Sequence, residues 1–153
     1  MKASYTYSTK IGEITITEEN QKIIEVKLGK ADNREIKETK LIKQTYEQIE
    51  EYLEEKRTKF TIPISLKGTT FRKKVWEALL TIPYGKTNSY QEIARKIGNP
   101  KACRAVGMAN HYNPIIIIVP CHRVIGKNGK LVGYGGGLDI KEKLLEIENK
   151  AKY

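Results

Sequence analysis

Three consecutive residues in the second half of the chain, Cys121, His122 and Arg123, have side chains that can do chemistry. A cysteine attacks as its thiolate, so a reactive cysteine needs neighbouring groups that take its proton. Side chains one residue apart on a strand face opposite ways, so His122 would have to reach Cys121 through a water, with a carboxylate orienting its ring. The competing interpretation is a buried, unreactive Cys121, since free cysteines are among the most buried residues.

The composition argues against a metal centre, a secreted protein and a membrane protein. A tetrahedral zinc site would need every cysteine and histidine of the chain, namely Cys103, Cys121, His111 and His122. We therefore expect no metal and no cofactor, and we assign no role to His111. The N-terminus has no apolar signal region, and no apolar run approaches the roughly 20 residues that span a bilayer. We expect a cytoplasmic protein without a disulfide. Plentiful Lys and Glu and few Gln and Cys give a weak indication of a thermophile.

The positive charge is concentrated in one half of the chain. Residues 1–66 carry 12 basic and 12 acidic side chains, whereas residues 67–153 carry 16 and 6, so the whole excess of +10 lies in the second half. One basic module indicates a polyanionic partner, usually nucleic acid. A basic surface without a partner is the alternative.

The first half is predicted to be a small α/β domain over residues 1–66. Segments 4–9, 13–18 and 22–28 are rich in Ile, Val, Tyr and Thr and are separated by turn residues, which is typical of short strands. A helix follows, with Ile42, Tyr46, Ile49 and Leu53 at helical spacing.

The second half, residues 67–153, is predicted to be mainly helical. Thr69-Thr70 begins a helix that Pro83-Tyr84-Gly85 ends, and Ser89 caps a second helix over 90–97. We expect Asn99-Pro100 to begin a third helix after about three connecting residues, which makes a helix-turn-helix.

Beyond this pair of helices the sequence predicts a buried strand, a turn and a last helix. The strand is the apolar run Ile115–Val119, the hairpin-like turn is Lys127–Gly129, and the helix runs from Asp139 to about Asn149. Helices with a small hairpin are typical of a winged helix. The glycine-rich segment 133–137 lacks the Lys-Ser/Thr ending of a phosphate-binding loop, so we interpret it as a pocket wall.

Several motifs of residues 68–148 together carry a specific resemblance. Pro120-Cys121-His122-Arg123-Val124 follows Asn113-Pro114 and an apolar run. Further motifs in matching order and spacing are Phe71-x3-Val75-Trp76-x-Ala78-Leu79, Ile82-Pro83-Tyr84-Gly85, Ser89-Tyr90-x2-Ile93-Ala94, Arg104-Ala105-Val106-Gly107 and Tyr134-x-Gly136-Gly137-Leu138. The chain resembles the O6-alkylguanine-DNA alkyltransferase family. That resemblance implies a ribonuclease-H-like first domain and a winged-helix, helix-turn-helix second domain.

The resemblance also implies an activity and the residues that perform it. The family repairs DNA by moving an alkyl group from O6-alkylguanine to a cysteine, irreversibly and once per molecule. Cys121 would be the acceptor, His122 the general base and Glu148 the residue that orients His122. Asn113 would be the hinge that braces them, while Tyr90 and Lys141 would stabilise the departing guanine. Backbone groups of Cys121, Val124 and Gly135 would read the guanine edge beside Tyr134.

DNA recognition is implied in the same way. O6 of guanine is stacked inside the duplex, so the nucleotide must be turned out. Arg104 would fill the vacated place in the stack, and the small neighbours Ala102, Cys103 and Ala105 would let their helix enter the minor groove. We also expect Arg123 to contact DNA. An ordinary phosphate contact is the alternative for Arg104. The expected partner is double-stranded DNA containing O6-alkylguanine, bound by a monomer.

Two other functions are compatible with parts of the sequence. A DNA-binding regulator would use the helix-turn-helix with a structural Cys121, and it would have no need for Tyr90, His122 and Glu148 at these spacings. A cysteine hydrolase would turn over acyl substrates, but it would not explain the basic second half.

Overall fold

The computed structural model describes residues 2–30, 35–126 and 137–150, and these form two compact units. The first unit contains residues 1–66 together with 114–118. The second contains residues 67–113 and 119–153. Residues 114–118, which the sequence analysis placed in the second domain, therefore belong to the first unit.

The first unit is a four-stranded sheet with one helix. Strands β1 (Lys2–Thr9), β2 (Gly12–Glu19) and β3 (Lys22–Leu28) are antiparallel neighbours, as predicted. Asn20 and Gln21 join β2 to β3 with positive φ angles of 53° and 64°, the backbone that a tight hairpin requires. A two-residue strand β4 (Glu35–Ile36), not predicted from the sequence, pairs in parallel with β1 and gives the order β3-β2-β1-β4.

Helix α1 (Lys40–Leu53) covers this sheet and confirms the helical spacing found in the sequence. Its N-terminus is capped by Thr39, whose hydroxyl accepts a hydrogen bond from the Ile42 amide at 3.1 Å. Ile42, Ile49 and Leu53 are buried on the face that contacts β1, β2 and β3.

Within its described residues, the second unit contains four α-helices, one 3-10 turn and a short parallel strand pair. Helices α2 (Thr70–Leu79), α3 (Tyr90–Lys96), α4 (Cys103–His111) and α5 (Leu138–Lys150) carry it, with β5 (Asn88–Ser89) beside β6 (Val124–Ile125). Helices α2, α3 and α4 pack on one another. The indole of Trp76 donates to the Ala109 carbonyl at 2.8 Å, which ties α2 to α4.

The connection between α3 and α4 is longer than predicted. Ser89 caps α3 with a capping box completed by Glu92, as expected for its start. However, α4 begins at Cys103 rather than directly after Asn99-Pro100. The Asn99 carbonyl instead accepts from the Ala102 amide at 3.0 Å and closes a turn, so the connection spans residues 97–102.

The predicted strand Ile115–Val119 is wrong. Ile115 makes a single bridge to Val26, and residues 116–118 form a turn in which Ile117 has a φ of 73°. The β-branched composition favours a strand, but the chain enters the first unit after Asn113 and leaves it before Val119, so it must reverse within five residues. The predicted hairpin turn 127–129 lies outside the described residues.

Among residues 2–30, 35–126 and 137–150 no helix has both the length and the apolar character that crossing a bilayer requires.

Candidate active site

Cys121, His122 and Arg123 form one short, tightly wound turn. The turn is a 3-10 helix of these three residues, with the Cys121 amide donating to the Val119 carbonyl at 2.8 Å and the Arg123 amide to the Pro120 carbonyl at 3.0 Å. A 3-10 helix has three residues per turn, so its successive side chains point in three different directions. Each of the three can therefore be held by different neighbours, and all are buried.

The His122 imidazole is paired with the Glu148 carboxylate of α5. His122 Nε2 lies 2.6 Å from Glu148 Oε2, and both side chains are fully or almost fully shielded from solvent. Burial alone would raise the pKa of Glu148, but hydrogen bonds and charges from His122 and Arg123 outweigh it and lower this pKa from 4.5 to about 2. Burial also lowers the pKa of His122, and the hydrogen bond and charge of Glu148 only partly offset that effect.

These two shifts define the protonation states of the pair at neutral pH. Glu148 is ionised and can only accept a hydrogen bond, so Nε2 of a neutral His122 must carry the ring proton. The buried second nitrogen, Nδ1, then has its lone pair available as a base. This is the arrangement in which a carboxylate orients a histidine that removes a proton.

Arg123 holds the same carboxylate in place, an ion pair that the sequence did not indicate, while its expected contact with DNA stays a prediction. Its side chain is only 9% exposed, and its guanidinium donates to Glu148 Oε1 at 2.8 Å and Oε2 at 3.1 Å. A third bond goes to the Ile82 carbonyl at 2.6 Å, and the amide of Gly85 adds a donor to Glu148 at 3.1 Å. A guanidinium can donate to both oxygens of one carboxylate at the same time. The positive charge of Arg123 is therefore paired in the interior of the second unit.

Two asparagines brace the backbone that carries Cys121. Asn113 donates from Nδ2 to the Val119 carbonyl at 2.8 Å, two residues before Cys121. Asn110 donates from Nδ2 to the Cys121 carbonyl itself at 3.2 Å. Both side chains are buried, so these bonds are shielded from competing water.

Tyr90 and Lys141 are hydrogen-bond donors whose pKa values are both influenced by the charge of Cys121. Tyr90 is the first residue of α3, and burial followed by the charge of Cys121 raises its pKa, so it remains protonated at neutral pH. Lys141 is buried on α5, and burial lowers its pKa to about 8, with Cys121 acting in the opposite direction. Val124 is buried directly after the turn, while Tyr134 and Gly135 lie outside the described residues.

The exposed face of helix α4 carries small residues at the N-terminal end of the helix. Arg104 and Ala105 are exposed, and Ala102 and Cys103 are partly exposed at the N-terminus of the helix. The thiol of Cys103 donates to Gln91 Oε1 at 3.1 Å, which gives it a local partner on α3. The inward face of the same helix carries Asn110.

Some groups that hold the site were not anticipated from the sequence. Asn110, the Gly85 amide and the Ile82 carbonyl contact members of the site directly. The two backbone groups carry no side-chain signal. Asn110 has one, since a polar residue on the apolar face of an amphipathic helix is unusual enough to question.

Comparison with known proteins assigns both halves of the chain to one family. Residues 4–66 match the family model of the 6-O-methylguanine DNA methyltransferase ribonuclease-like domain, and residues 70–150 match that of its DNA binding domain. The chain belongs to the 6-O-methylguanine DNA methyltransferase family. The ribonuclease-like first domain and the DNA-binding second domain expected from the sequence are thereby confirmed.

Some relatives in this family match nearly the whole chain, and others match about two thirds of it. The constitutive methylated-DNA–protein-cysteine methyltransferase of Bacillus subtilis is 46% identical over 94% of this chain and 93% of its own length. A Mycobacterium tuberculosis protein of the same name is 59% identical over 67% of this chain, and the match spans 62% of that protein. The crystal structure of Mycobacterium tuberculosis OGT in complex with DNA has a TM-score of 0.91 and 42% identity, covering 97% of this chain and 94% of that one.

Proposed function

We propose that this protein repairs DNA by moving an alkyl group from O6 of guanine to the sulfur of Cys121, once per molecule. The observation that carries the proposal is the buried turn in which Cys121 adjoins a histidine held by Glu148 at 2.6 Å. In a chain of this family, that arrangement is what a thiol needs to react as a thiolate.

The transfer step forms one bond and breaks one. The proton of Cys121 passes through a water to Nδ1 of His122, and the sulfur attacks the alkyl carbon from the side opposite O6. The carbon–oxygen bond breaks, and its electron pair leaves with the guanine. A thioether remains on Cys121, and because a thioether sulfur is a poor leaving group, the protein is not regenerated.

The departing guanine needs donors because it takes up negative charge as the bond breaks. We assign this role to the Tyr90 hydroxyl, which stays protonated at neutral pH, assisted by Lys141. Backbone groups of Cys121, Val124 and Gly135, with Tyr134 beside them, are proposed to read the guanine edge.

The proposed partner is double-stranded DNA from which the damaged nucleotide is turned out. Cys121 is only 2% exposed, so a base that stays inside a duplex is out of its reach. Helix α4 offers exposed Arg104 and Ala105 beside Ala102 and Cys103, which suits entry into the minor groove with Arg104 taking the vacated place. A related protein has been crystallised with DNA.

The proposal is tested by intact-mass spectrometry after mixing the protein with excess duplex containing O6-methylguanine. We expect a gain of one methyl per protein molecule, located on Cys121, with no further repair once all protein has reacted. The Cys121→Ser variant should gain nothing, whereas Cys103→Ser should still be methylated at Cys121. Repair of many duplexes by each protein molecule would refute the proposal and favour a catalyst that turns over.

Binding of undamaged duplex is expected to weaken steeply as salt rises and to depend little on sequence. Each phosphate that a Lys or Arg side chain neutralises releases counterions and contributes about −0.9 to the slope of log affinity against log salt. We expect exposed members of the 16 basic side chains of residues 67–153 to supply these contacts. Fluorescence anisotropy between low and moderate salt measures the slope, and a flat dependence would contradict the electrostatic role of the second half.

Three further features stay predictions. We expect the protein to act as a monomer, to need no metal or cofactor, and to work in the cytoplasm. Sedimentation of the protein alone and with DNA tests the first, and full transfer in the presence of a chelator tests the second.

A further inference from the structure

Asn110 lies where helix α4, which is proposed to enter the DNA, contacts the turn Cys121–Arg123, called the reactive turn below. It is 2% exposed and sits on the inward face of α4, whereas Arg104 on the same helix is exposed. Gly107, three residues before it, lies beside the Tyr90 ring, since a Cβ at this glycine would be 3.8 Å from the ring. Residues three apart share a helix face, so Tyr90 lies along the face that ends in Asn110.

The Asn110 amide group contacts both Tyr90 and Cys121. Its Nδ2 donates to the Cys121 carbonyl at 3.2 Å, and a hydrogen bond from the Asn110 side chain lowers the pKa of Tyr90 against the larger, opposite effect of burial. An amide nitrogen has two N–H donors, so a single group can serve both acceptors. The opposite orientation would set the amide oxygen against the Cys121 carbonyl oxygen, which excludes it.

The bond to the Cys121 carbonyl uses only the nitrogen of the Asn110 amide group. Its Oδ1 is buried and accepts no hydrogen bond from any part of the chain that the structure describes. A buried acceptor without a partner costs stability, and an apolar residue of similar size would avoid that cost. The polar side chain is therefore retained for what its nitrogen does.

We propose that Asn110 is a positioning residue that aims the Tyr90 hydroxyl at the departing guanine and fixes the Cys121 carbonyl beside it. Because the Tyr90 oxygen accepts from Asn110, its own proton points away from the Asn110 amide and towards a different acceptor. A hydroxyl that accepts one hydrogen bond is also a stronger donor in the next. The inference rests on the proposed transfer reaction and adds a residue to it.

The test measures single-turnover reaction of Cys121 with free O6-benzylguanine, which needs neither DNA binding nor nucleotide flipping. Asn110→Leu should lower the maximal transfer rate about fivefold and leave the half-saturating concentration within twofold of that of the unsubstituted protein. Its melting temperature should stay close to that of the unsubstituted protein, because removal of the unpaired Oδ1 acceptor offsets the loss of the bond to the Cys121 carbonyl. A large fall in melting temperature would show a structural role and overturn the inference.

A double-mutant cycle with Tyr90→Phe identifies the path of the effect. If Asn110 acts through the Tyr90 hydroxyl, Asn110→Leu should change the rate less than twofold in the Tyr90→Phe background. Independent effects that multiply in the double variant would overturn the inference while leaving the transfer reaction itself intact. If Tyr90→Phe alone reacts at the full rate, the donor role of Tyr90 and the inference fall together.

Two more variants complete the design. Asn110→Asp keeps the shape but offers an acceptor where Asn110 offers a donor, so it should be at least as slow as Asn110→Leu. A full rate in Asn110→Asp would contradict the donor role. Asn99→Leu makes the same exchange at an exposed position of the connection before α4 and should react at the full rate.

Discussion

Replacing His122 by alanine is expected to slow transfer from methylated duplex by about 10²- to 10⁴-fold, the usual contribution of a general base. The neutral imidazole, oriented by Glu148, would otherwise remove the Cys121 proton. Affinity for duplex should be nearly unchanged, because His122 is fully buried and is not exposed for contact with DNA. Rapid-quench kinetics with binding measured separately by anisotropy gives both values. A rate change below twofold would count against the base role.

Glu148→Gln should slow transfer as well, but it should also destabilise the protein. Glutamine cannot balance the buried guanidinium of Arg123, and breaking a buried ion pair by neutralising one partner costs about 3–5 kcal/mol. His122→Ala leaves the Arg123–Glu148 pair intact and should unfold at higher denaturant than Glu148→Gln. Glu146→Gln makes the same change at an exposed position of α5 and should alter neither rate nor stability.

The pH dependence of stability follows from the same carboxylate. The pKa of Glu148 is lowered from 4.5 to about 2 in the folded protein, so its stabilising contribution is complete above about pH 5. It is lost as the pH falls from there towards 2, where Glu148 becomes protonated. Urea unfolding at a series of pH values should show a steeper loss in the unsubstituted protein than in Glu148→Gln. Parallel curves would contradict the depressed pKa.

Arg104→Ala should slow repair of methylated duplex by roughly tenfold or more while leaving reaction with free O6-benzylguanine unchanged. Unstacking and unpairing a nucleotide cost on the order of a few kcal/mol, and a side chain that fills the stack offsets part of that cost. The free base needs no flipping, so it isolates the chemistry at Cys121. Arg104→Lys should restore little, since an ammonium cannot stack as a planar guanidinium does.

The control for Arg104 removes the same charge elsewhere. Arg95 is exposed on α3. Arg95→Ala should weaken duplex binding, but it should not lower the rate of transfer once the duplex is bound. Single-turnover rates at saturating duplex separate the two effects. An equal loss on duplex and free base in Arg104→Ala would assign Arg104 to the fold or the pocket instead of the stack.

The sequence by itself determined the elements that have strong local signals. Thr69 and Ser89 cap α2 and α3 as expected, because capping depends on a few adjacent residues. Family assignment was equally accessible, since the motifs around Cys121 are contiguous or short-range. The distribution of charged residues alone indicated that residues 67–153 are the half that binds a polyanion.

Tertiary structure decided what depends on partners distant along the chain. Nothing local distinguishes a surface arginine from one buried against Glu148, 25 positions later, so the sequence alone did not reveal the ion pair of Arg123. Ile115–Val119 has strand composition but turns, because its conformation is set by where the chain must return. Asn110 acquires its partners only when α4 packs against Tyr90 and the reactive turn. These outcomes depend on hydrogen bonds between segments that are remote in sequence and on the burial that their packing produces. Secondary-structure propensity depends on residue type and neighbours in sequence, so it cannot predict them.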